Sequence, residues 1–183
     1  MVISVINGKG GVGKTSLSYS IAKDLEYYLI SNDDSVIELI YGTMAKIMKS
    51  PELIDNVVYD FGGFADAGVI NILNNSDHIL IPLTSDLNSV KKTNSLLREI
   101  DTKKVVLIAN RAEKEDFKDI TSYFEKKYQF PIIEVKNSRI WKKTFEVKQS
   151  VTEIKNSTKL NSYIYRNSID GYEQLLDYLK GMQ

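Results

Sequence analysis

The first fifteen residues constrain the fold more than any other part of the chain. A short apolar run over residues 2–6 ends at Asn7, and residues 8–15 then read G-x-x-x-x-G-K-T. Apolar residues recur afterwards at helical spacing: Leu17, Ile21, Leu25 and Tyr28. A strand, a glycine loop and a helix in this order predict a phosphate-binding loop. Glycines let successive backbone N–H groups turn inward, and the helix N-terminus adds partial positive charge.

This loop supplies most of the candidate site residues. The expected nucleotide-binding residues are Gly8, Lys9, Gly10, Gly11, Val12, Gly13, Lys14, Thr15 and Ser16. Lys14 is expected to reach the β- and γ-phosphates, and the Thr15 hydroxyl to ligate Mg²⁺. The simpler interpretation is a glycine-rich turn with a surface lysine, but the flanking strand and helix favour a nucleotide site.

A second lysine, Lys9, distinguishes this loop from an ordinary phosphate loop. The form K-G-G-x-G-K-T over residues 9–15 resembles the deviant Walker A motif of the ParA/MinD-type dimerising ATPases. The resemblance implies ATP and Mg²⁺ as cofactors and a homodimer when ATP is bound. It also implies that Lys9 crosses the dimer interface to the partner subunit's ATP and acts in catalysis with Lys14, as an arginine finger does. A solvated loop lysine is the alternative.

Polar residues also follow three later apolar runs. Asp60 follows the run at residues 57–59, where a carboxylate can hold a water on Mg²⁺. By the resemblance, Asp33 matches the second aspartate of the family's D-x-D-P-Q segment, which polarises the attacking water near the metal, and both Asp33 and Asp60 are expected to contact Mg²⁺ through water. Ser31 and Asp34 depart from that pattern, and Asp34 is the alternative to Asp33. Asn110 resembles the asparagine that reads adenine, with an ordinary turn asparagine as an equal alternative.

Apolar runs and helical stripes alternate along the chain. This predicts an α/β domain over residues 1–183, with a mostly parallel twisted central sheet and helices on both faces. The predicted strands after the first cover residues 27–30, 57–59, 79–81, 105–109 and 132–135, and a helix is predicted over residues 36–47. Ligands bind such sheets at the carboxyl ends of the strands. His78 and Trp141 are predicted to be structural.

Composition and charge exclude several classes of function. The chain has no cysteine, which excludes disulfides and iron–sulfur ligation. Net charge is zero, but residues 136–166 carry 8 basic and 2 acidic side chains, while residues 1–80 carry 5 basic and 10 acidic ones. The basic stretch predicts an anionic partner, with Lys142, Lys143 and Lys148 as candidate DNA contacts and a solvated surface as the alternative. No apolar run is long enough for a membrane span, and the expected location is cytoplasmic.

The resemblance is greatest to the small (ParF-like) plasmid partition ATPases that lack an N-terminal DNA-reading domain. It implies a weak ATPase that binds DNA non-specifically as the ATP dimer, associates with the nucleoid, and is released when a ParB-like centromere-binding partner stimulates hydrolysis. Three alternatives stay open: a MinD-like spatial regulator, a ligase or kinase of the dethiobiotin-synthetase type, and an ATP-binding regulator with little turnover. The acidic residues of the last helix, Asp170, Glu173 and Asp177, argue against a membrane-bound form.

Overall fold

The computed structural model describes residues 1–63, 67–112 and 114–181. The strands are β1 (Val2–Asn7), β2 (Tyr28–Ser31), β3 (Ala45–Ile47), β4 (Val57–Gly62), β5 (His78–Leu83), β6 (Val105–Ala112) and β7 (Ile132–Lys136). The helices are α1 (Lys14–Leu25), α2 (Ile37–Tyr41), α3 (Ala67–Asn75), α4 (Leu87–Leu96), α5 (Lys114–Phe124), α6 (Ile140–Val147), α7 (Val151–Ser157), α8 (Lys159–Ile164) and α9 (Arg166–Leu179).

The strands form one sheet in the order β3-β2-β4-β1-β5-β6-β7. Every neighbouring pair is parallel, so the predicted α/β fold with a parallel sheet is confirmed. β1 lies between β4 and β5, which places the loop that follows it near the middle of the sheet's carboxyl edge. The loops after β2 and β4 reach the same edge, because parallel strands all end on one side.

Side chains of β1 alternate between two hydrophobic clusters, one on each face of the sheet. Ile3 and Val5 belong to the cluster built with α1, α6, α7 and α9, whereas Val2 and Ile6 belong to the one built with α3, α4 and α5. This alternation follows from the two-residue period of a strand, and it explains why β1 is apolar on both sides. The helices therefore cover both faces, as predicted.

The two residues predicted to be structural lie in packed positions. Trp141 is 7% exposed, and its ring meets that of Tyr172 edge to face with centroids 5.7 Å apart. His78 opens β5, half-buried, with its ring 5.6 Å from that of Tyr178. Burial lowers the pKa of His78, against the opposing charge of Asp77. His78 lies at the amino-terminal edge of the sheet, because it is the first residue of β5.

One predicted helix is wrong. The apolar spacing over residues 36–47 predicted a single helix, but α2 ends at Tyr41 and a 3₁₀ turn over Gly42–Met44 leads into β3. Gly42 adopts φ 59° and ψ −132°, a conformation that favours glycine and cannot continue a helix. The following three residues pair with β2 and form a seventh strand, which is the edge strand on this side of the sheet.

The first helix is also shorter than its apolar spacing predicted. Tyr28 was included in the helical stripe, but α1 ends at Leu25, and Glu26 takes the left-handed conformation at φ 57°. Tyr28 instead opens β2 and pairs with Val57 of β4. The prediction of a strand over residues 27–30 is therefore the correct one for Tyr28.

Helix α9 packs unusually close to the edge strand β7. A Cβ atom at Gly171 would lie 2.0 Å from the carbonyl oxygen of Glu134, and the Ser168 hydroxyl donates to the Lys136 carbonyl at 2.9 Å. Asp24 of α1 also accepts hydrogen bonds from the hydroxyls of Thr152 and Tyr172, which joins α1 to α7 and α9. Within the described part of the chain, no helix is both long and apolar enough to cross a membrane.

Candidate nucleotide-binding site

The phosphate loop lies between the end of β1 and the start of α1. Gly11 and Gly13 have φ values of 79° and 90°, a region that favours glycine. Gly13 also has no space for a side chain, because a Cβ there would lie 2.3 Å from Nδ2 of Asn110. The glycines at these two positions are therefore required by backbone conformation, and at Gly13 by packing as well.

Two residues that the sequence analysis did not select hold this loop in place. Asn7 is fully buried: its Nδ2 donates to the Pro82 carbonyl at 2.9 Å and to Thr93 Oγ1 at 3.0 Å, and its Oδ1 accepts from the Lys9 amide at 2.9 Å. Lys92 of α4 donates to the Gly8 carbonyl. A buried asparagine ending an apolar strand was a detectable signal for Asn7, but the sequence around Lys92 carries none.

Lys14 lies at the start of α1 with its ammonium turned towards the loop. Its Nζ donates to the Lys9 carbonyl at 3.3 Å. Burial lowers the pKa of Lys14, while the carboxylates of Asp60 and Asp33 act in the opposite direction. A cation that is partly removed from water and lies against a glycine loop at a helix N-terminus is suited to bind phosphate oxygens. Next to it, the Ser16 hydroxyl donates to the Gly13 carbonyl at 3.2 Å.

Asp60 lies within β4 and is only 3% exposed. It accepts a hydrogen bond from Ser18 Oγ at 3.3 Å, and the Thr15 side chain is close enough to help lower its pKa. Burial raises the pKa of Asp60, although these two side chains and the charge of Lys14 oppose the rise. The positive charge around Asp60 does not fully compensate its burial. With the Thr15 hydroxyl beside it, the Asp60 carboxylate offers the oxygen ligands that Mg²⁺ prefers. The residues present therefore fit the predicted cation.

Asp33 follows β2 and is exposed at the same edge of the sheet. It packs against Gly62 of β4, where a Cβ would lie 2.3 Å from its Oδ2. Ser31 supports this turn, since its hydroxyl donates to the Asp33 carbonyl at 3.1 Å and accepts from the Asp33 amide at 3.2 Å. Asn32 adds a bond that joins β2 to β4, because its Oδ1 accepts from the Gly62 amide at 2.8 Å. Asp33 is thus held by contacts to both strands.

The alternative residue, Asp34, is also exposed, but its contact with the site runs through its backbone. Its amide donates to Asp33 Oδ1 at 2.9 Å. Asp33 influences the pKa of both Lys14 and Asp60, whereas Asp34 is not among the charges that act on either group. The contact with Gly62 and the charge acting on Lys14 and Asp60 both favour Asp33 over Asp34 as the carboxylate of this site.

Lys9 is half-buried, and its backbone and side chain have different environments. Its amide and carbonyl take part in the loop through Asn7 and Lys14. Its positive charge lowers the pKa of Asp86, after the larger effects of hydrogen bonds from Thr84 and the Ser89 amide. Asp86 caps the N-terminus of α4, so the charge of Lys9 acts on that end of α4.

Asn110 is 5% exposed in β6 and contacts the phosphate loop directly. Its Nδ2 donates to the Val12 carbonyl at 2.6 Å, while its Oδ1 is buried and has no hydrogen-bond partner among the described residues. The amide nitrogen therefore stabilises the loop. The predicted adenine contact of Asn110 stays a prediction.

The candidate DNA-binding lysines lie on or next to α6. Lys142 is highly exposed and pairs with Glu146 at 3.4 Å, one helical turn away. Lys143 donates to Asn161 Oδ1 at 3.1 Å, with its Nζ 5.5 Å from the centre of the Tyr165 ring. Lys148 ends α6 in the left-handed conformation. Other basic residues also form ion pairs, such as Lys155 with Glu173. The surface of residues 136–166 is therefore less uniformly cationic than its sequence suggested.

Comparison with known proteins was informative only at the level of structure. No protein-family model matches this sequence, and no curated protein matches it. Among solved structures, a candidate plasmid partition protein from Borrelia burgdorferi B31 bound to AMPPNP is similar at 16% identity, with a TM-score of 0.67 and 98% of each chain covered. The chain has the fold of the ParA/MinD-type ATPases.

Two further structures agree with this ParA/MinD-type fold. MinD from Aquifex aeolicus is 15% identical with a TM-score of 0.68, covering 100% of this chain and 97% of its own. A variant of McdA from Cyanothece in complex with ATP is 12% identical with a TM-score of 0.66, covering 100% of this chain and 96% of its own. The fold is similar over at least 98% of this chain although only 12–16% of the residues are identical.

Proposed function

We propose that this chain is a weak, partner-stimulated ATPase that dimerises when it binds ATP and Mg²⁺ and acts in DNA partition. The observation that carries the proposal is the convergence of Lys14, Thr15, Asp33 and Asp60 at the ends of three adjacent strands. A binding module without catalysis would need the loop and Lys14 but not a second carboxylate beside the phosphates. The similarity to nucleotide-bound ParA/MinD-type structures supports the same class.

Each residue of the site has a distinct task in this proposal. The loop amides and Lys14 bind and orient the phosphates, and Thr15 with Asp60 holds Mg²⁺, directly or through water. When bound, the cation neutralises charge that develops on the transferred phosphoryl group. Asp33 orients the attacking water, and Gly62 gives its carboxylate the space to approach. Lys9 supplies positive charge to the nucleotide of the second subunit.

DNA binding extends the proposal beyond the nucleotide. The ATP dimer presents Lys142, Lys143 and Lys148 twice, and two weak patches on one duplex gain from effective concentration. Contacts of this kind go to phosphates and ignore sequence, so the dimer would associate with the nucleoid in the cytoplasm. A ParB-like centromere-binding protein would then stimulate hydrolysis and release the dimer from DNA.

Specific observations favour two of the alternatives. The similarity to MinD supports a spatial regulator, although the acidic face of α9 would be repelled by anionic lipid. Ser31, which replaces an aspartate of the family pattern, supports an ATP-binding regulator with little turnover. A ligase or kinase of the dethiobiotin-synthetase type would have no use for Lys9 in a second subunit.

Nucleotide binding is tested with Lys14→Ala, which removes a charge-assisted phosphate contact without opening a cavity in the core. We expect ATP affinity to fall at least tenfold while the melting temperature of the nucleotide-free protein stays unchanged. Calorimetric titration measures the affinity. Unchanged affinity would exclude the phosphate-loop assignment.

DNA binding is tested by measuring affinity for two unrelated duplexes over a salt series, with a non-hydrolysable ATP analogue and with ADP. We expect binding only with the ATP analogue, equal for both sequences and weaker as salt rises. The double variant Lys142→Glu/Lys143→Glu should bind more weakly, with a shallower salt slope and unchanged DNA-free ATP hydrolysis. Identical slopes would remove these lysines from the interface, and absence of binding in every nucleotide state would refute a role in partition.

A further inference from the structure

Helix α8 is the only one of the helices α6–α9 that contributes no buried residue within the described chain. Leu160, Tyr163 and Ile164 are instead 65%, 75% and 58% exposed. Their spacing of three and four residues places them on one face of the helix. Contiguous exposed apolar residues of this kind mark interaction sites, whereas single exposed apolar residues are ordinary.

Basic residues flank this apolar face. Lys159 begins α8, Arg166 begins α9, and both are exposed. The sequence has no acidic residue between Glu153 and Asp170. The local surface is therefore apolar at its centre and cationic at its ends.

A groove of about 350 Å³ runs beside the apolar face. It is lined by Arg139, Lys142, Lys143, Glu146 and Tyr165. Lys143 connects it to α8, because its ammonium donates to Asn161 and lies over the Tyr165 ring. The one acid in the lining, Glu146, is already paired with Lys142. Arg139, which is exposed, extends the cationic border along α6.

Four occupants can be compared for this surface: a second copy of the chain, nucleic acid, a membrane and a helix of another protein. The helix fits best. A second copy in a two-fold contact would place the cationic border against itself. Nucleic acid offers phosphates but leaves Leu160 and Ile164 in water. A membrane would be entered by only three side chains of a six-residue helix, which gives little buried area. A partner helix with an apolar stripe and acidic flanks satisfies both the centre and the border.

We propose that α8 and the adjoining groove form a docking surface for an amphipathic, acid-flanked helix of another protein. The apolar stripe of that helix covers Leu160, Tyr163 and Ile164, and its carboxylates reach Arg139, Lys159 and Arg166. Because the surface is small, the contact is transient. The docking surface does not depend on the nucleotide site, so it can be tested whatever the outcome of the ATPase proposal.

The test uses the full chain and three fluorescent synthetic peptides of about 16 residues. The first is a helix with leucines on one face and glutamates at its flanks. The second has the same composition scrambled so that the leucines share no face, and the third replaces the glutamates of the first by lysines. Fluorescence anisotropy should show at least tenfold tighter binding of the first peptide, weakening as salt rises. Equal binding of the scrambled peptide, or none at all, would overturn the proposal.

Variants locate the surface. Leu160→Ser/Ile164→Ser should weaken binding of the acidic peptide at least tenfold. The matched pair Val36→Ser/Leu39→Ser, also on exposed apolar residues, should leave it unchanged. Lys159→Gln/Arg166→Gln should weaken binding several-fold and flatten its salt dependence, unlike Lys118→Gln/Lys126→Gln on α5 and just beyond it.

Two further measurements distinguish the other occupants. Without peptide, the wild type and the Leu160→Ser/Ile164→Ser variant should show the same state of association in sedimentation. Binding of the chain to vesicles of anionic phospholipid should be the same for the wild type and the serine pair. The affinity for DNA should also be unchanged in the serine pair. A positive result in any of these assays that disappears in the serine pair would replace the helical partner with that occupant.

Discussion

At the scale of single residues, the site is defined by close approaches that leave no space for a larger side chain. Because Gly13 has no side chain, the amide of Asn110 can approach it, and because Gly62 has none, the carboxylate of Asp33 can do the same. The second contact matters more for catalysis, because it sets the position of the group expected to orient water. The Gly62 contact involves an exposed carboxylate, so it can be altered without opening the hydrophobic core.

Gly62→Ala is expected to displace Asp33 and to slow ATP hydrolysis by up to about 100-fold, because a shift of about 1 Å in a catalytic group can have that effect. ATP affinity should change less than about threefold, since Lys14 and the loop are untouched. Phosphate release and nucleotide titration measure the two quantities. Asp33→Ala should reproduce the loss of hydrolysis and Asp34→Ala should not. If Asp34→Ala is the more damaging variant, Asp34 is the water-orienting residue.

His78 provides a prediction on pH. Burial lowers its pKa in the folded protein below the ordinary value of 6.5. As the pH falls below about 6.5, the unfolded chain therefore gains this proton before the folded one does, and stability decreases. Stability from this group is complete above that range. The melting temperature of the wild type should fall more between about pH 7.5 and 5.5 than that of His78→Gln. Parallel decreases in the two proteins would show that other groups control the response.

At the scale of elements, the edge strand β7 and helix α9 depend on one glycine. An exposed helical glycine replaced by alanine gains roughly 1 kcal/mol from helix propensity. At Gly171 the new Cβ would instead meet the Glu134 carbonyl, and the overlap should outweigh that gain. The helix would have to move away from the strand, with loss of packing around Tyr172 and Leu175, both fully buried.

Gly171→Ala is therefore expected to lower the free energy of unfolding by about 1–3 kcal/mol. Urea denaturation monitored by fluorescence of Trp141, which packs against Tyr172, measures the change. Gln174→Ala on the exposed face of the same helix is the matched control and should stay within about 0.5 kcal/mol of the wild type. A stabilised Gly171→Ala protein would mean that α9 packs less closely than the structure indicates.

At the scale of the whole molecule, the polar residues that end β1, β2 and β4 lie at one edge of the sheet, and Lys9 lies in the loop at that edge. Lys9 makes backbone contacts within its own loop, but Lys14 is the lysine that the Asp33 and Asp60 carboxylates act on. In the proposed dimer, Lys9 acts on the nucleotide of the second subunit rather than on its own.

Lys9→Ala is expected to bind ATP within about threefold of the wild type, because its target lies on the other subunit. It should fail to dimerise with a non-hydrolysable ATP analogue and should lose ATP hydrolysis, by at least tenfold if the lysine acts as an arginine finger does. Light scattering measures the mass in each nucleotide state. Lys92→Ala, which removes a loop contact from α4, is the control for simple disturbance of the loop. Normal dimerisation of Lys9→Ala would favour a monomeric enzyme.

The sequence by itself determined the parallel α/β architecture and the strand–glycine loop–helix order at its start. Both rest on local signals: a strand needs a short apolar run, a helix needs a 3.6-residue stripe, and a nest of amides needs glycines at fixed spacing. The strands at residues 27–30, 57–59, 79–81, 105–109 and 132–135 were all found in this way. Asp60 was selected because it directly follows such a run, and Asp33 because it matches the second aspartate of the family's D-x-D-P-Q segment.

Only the tertiary structure decided the features that depend on residues distant in the chain. β3 has three residues and no distinctive pattern, so its pairing with β2 and the backbone of Gly42 override the helical spacing of residues 36–47. The roles of Asn7, Lys92 and Asn110 arise from hydrogen bonds that span 75 or more residues. The exposed face of α8 was equally hidden, because the spacing of Leu160, Tyr163 and Ile164 is the same whether a helix packs on the core or remains in solvent.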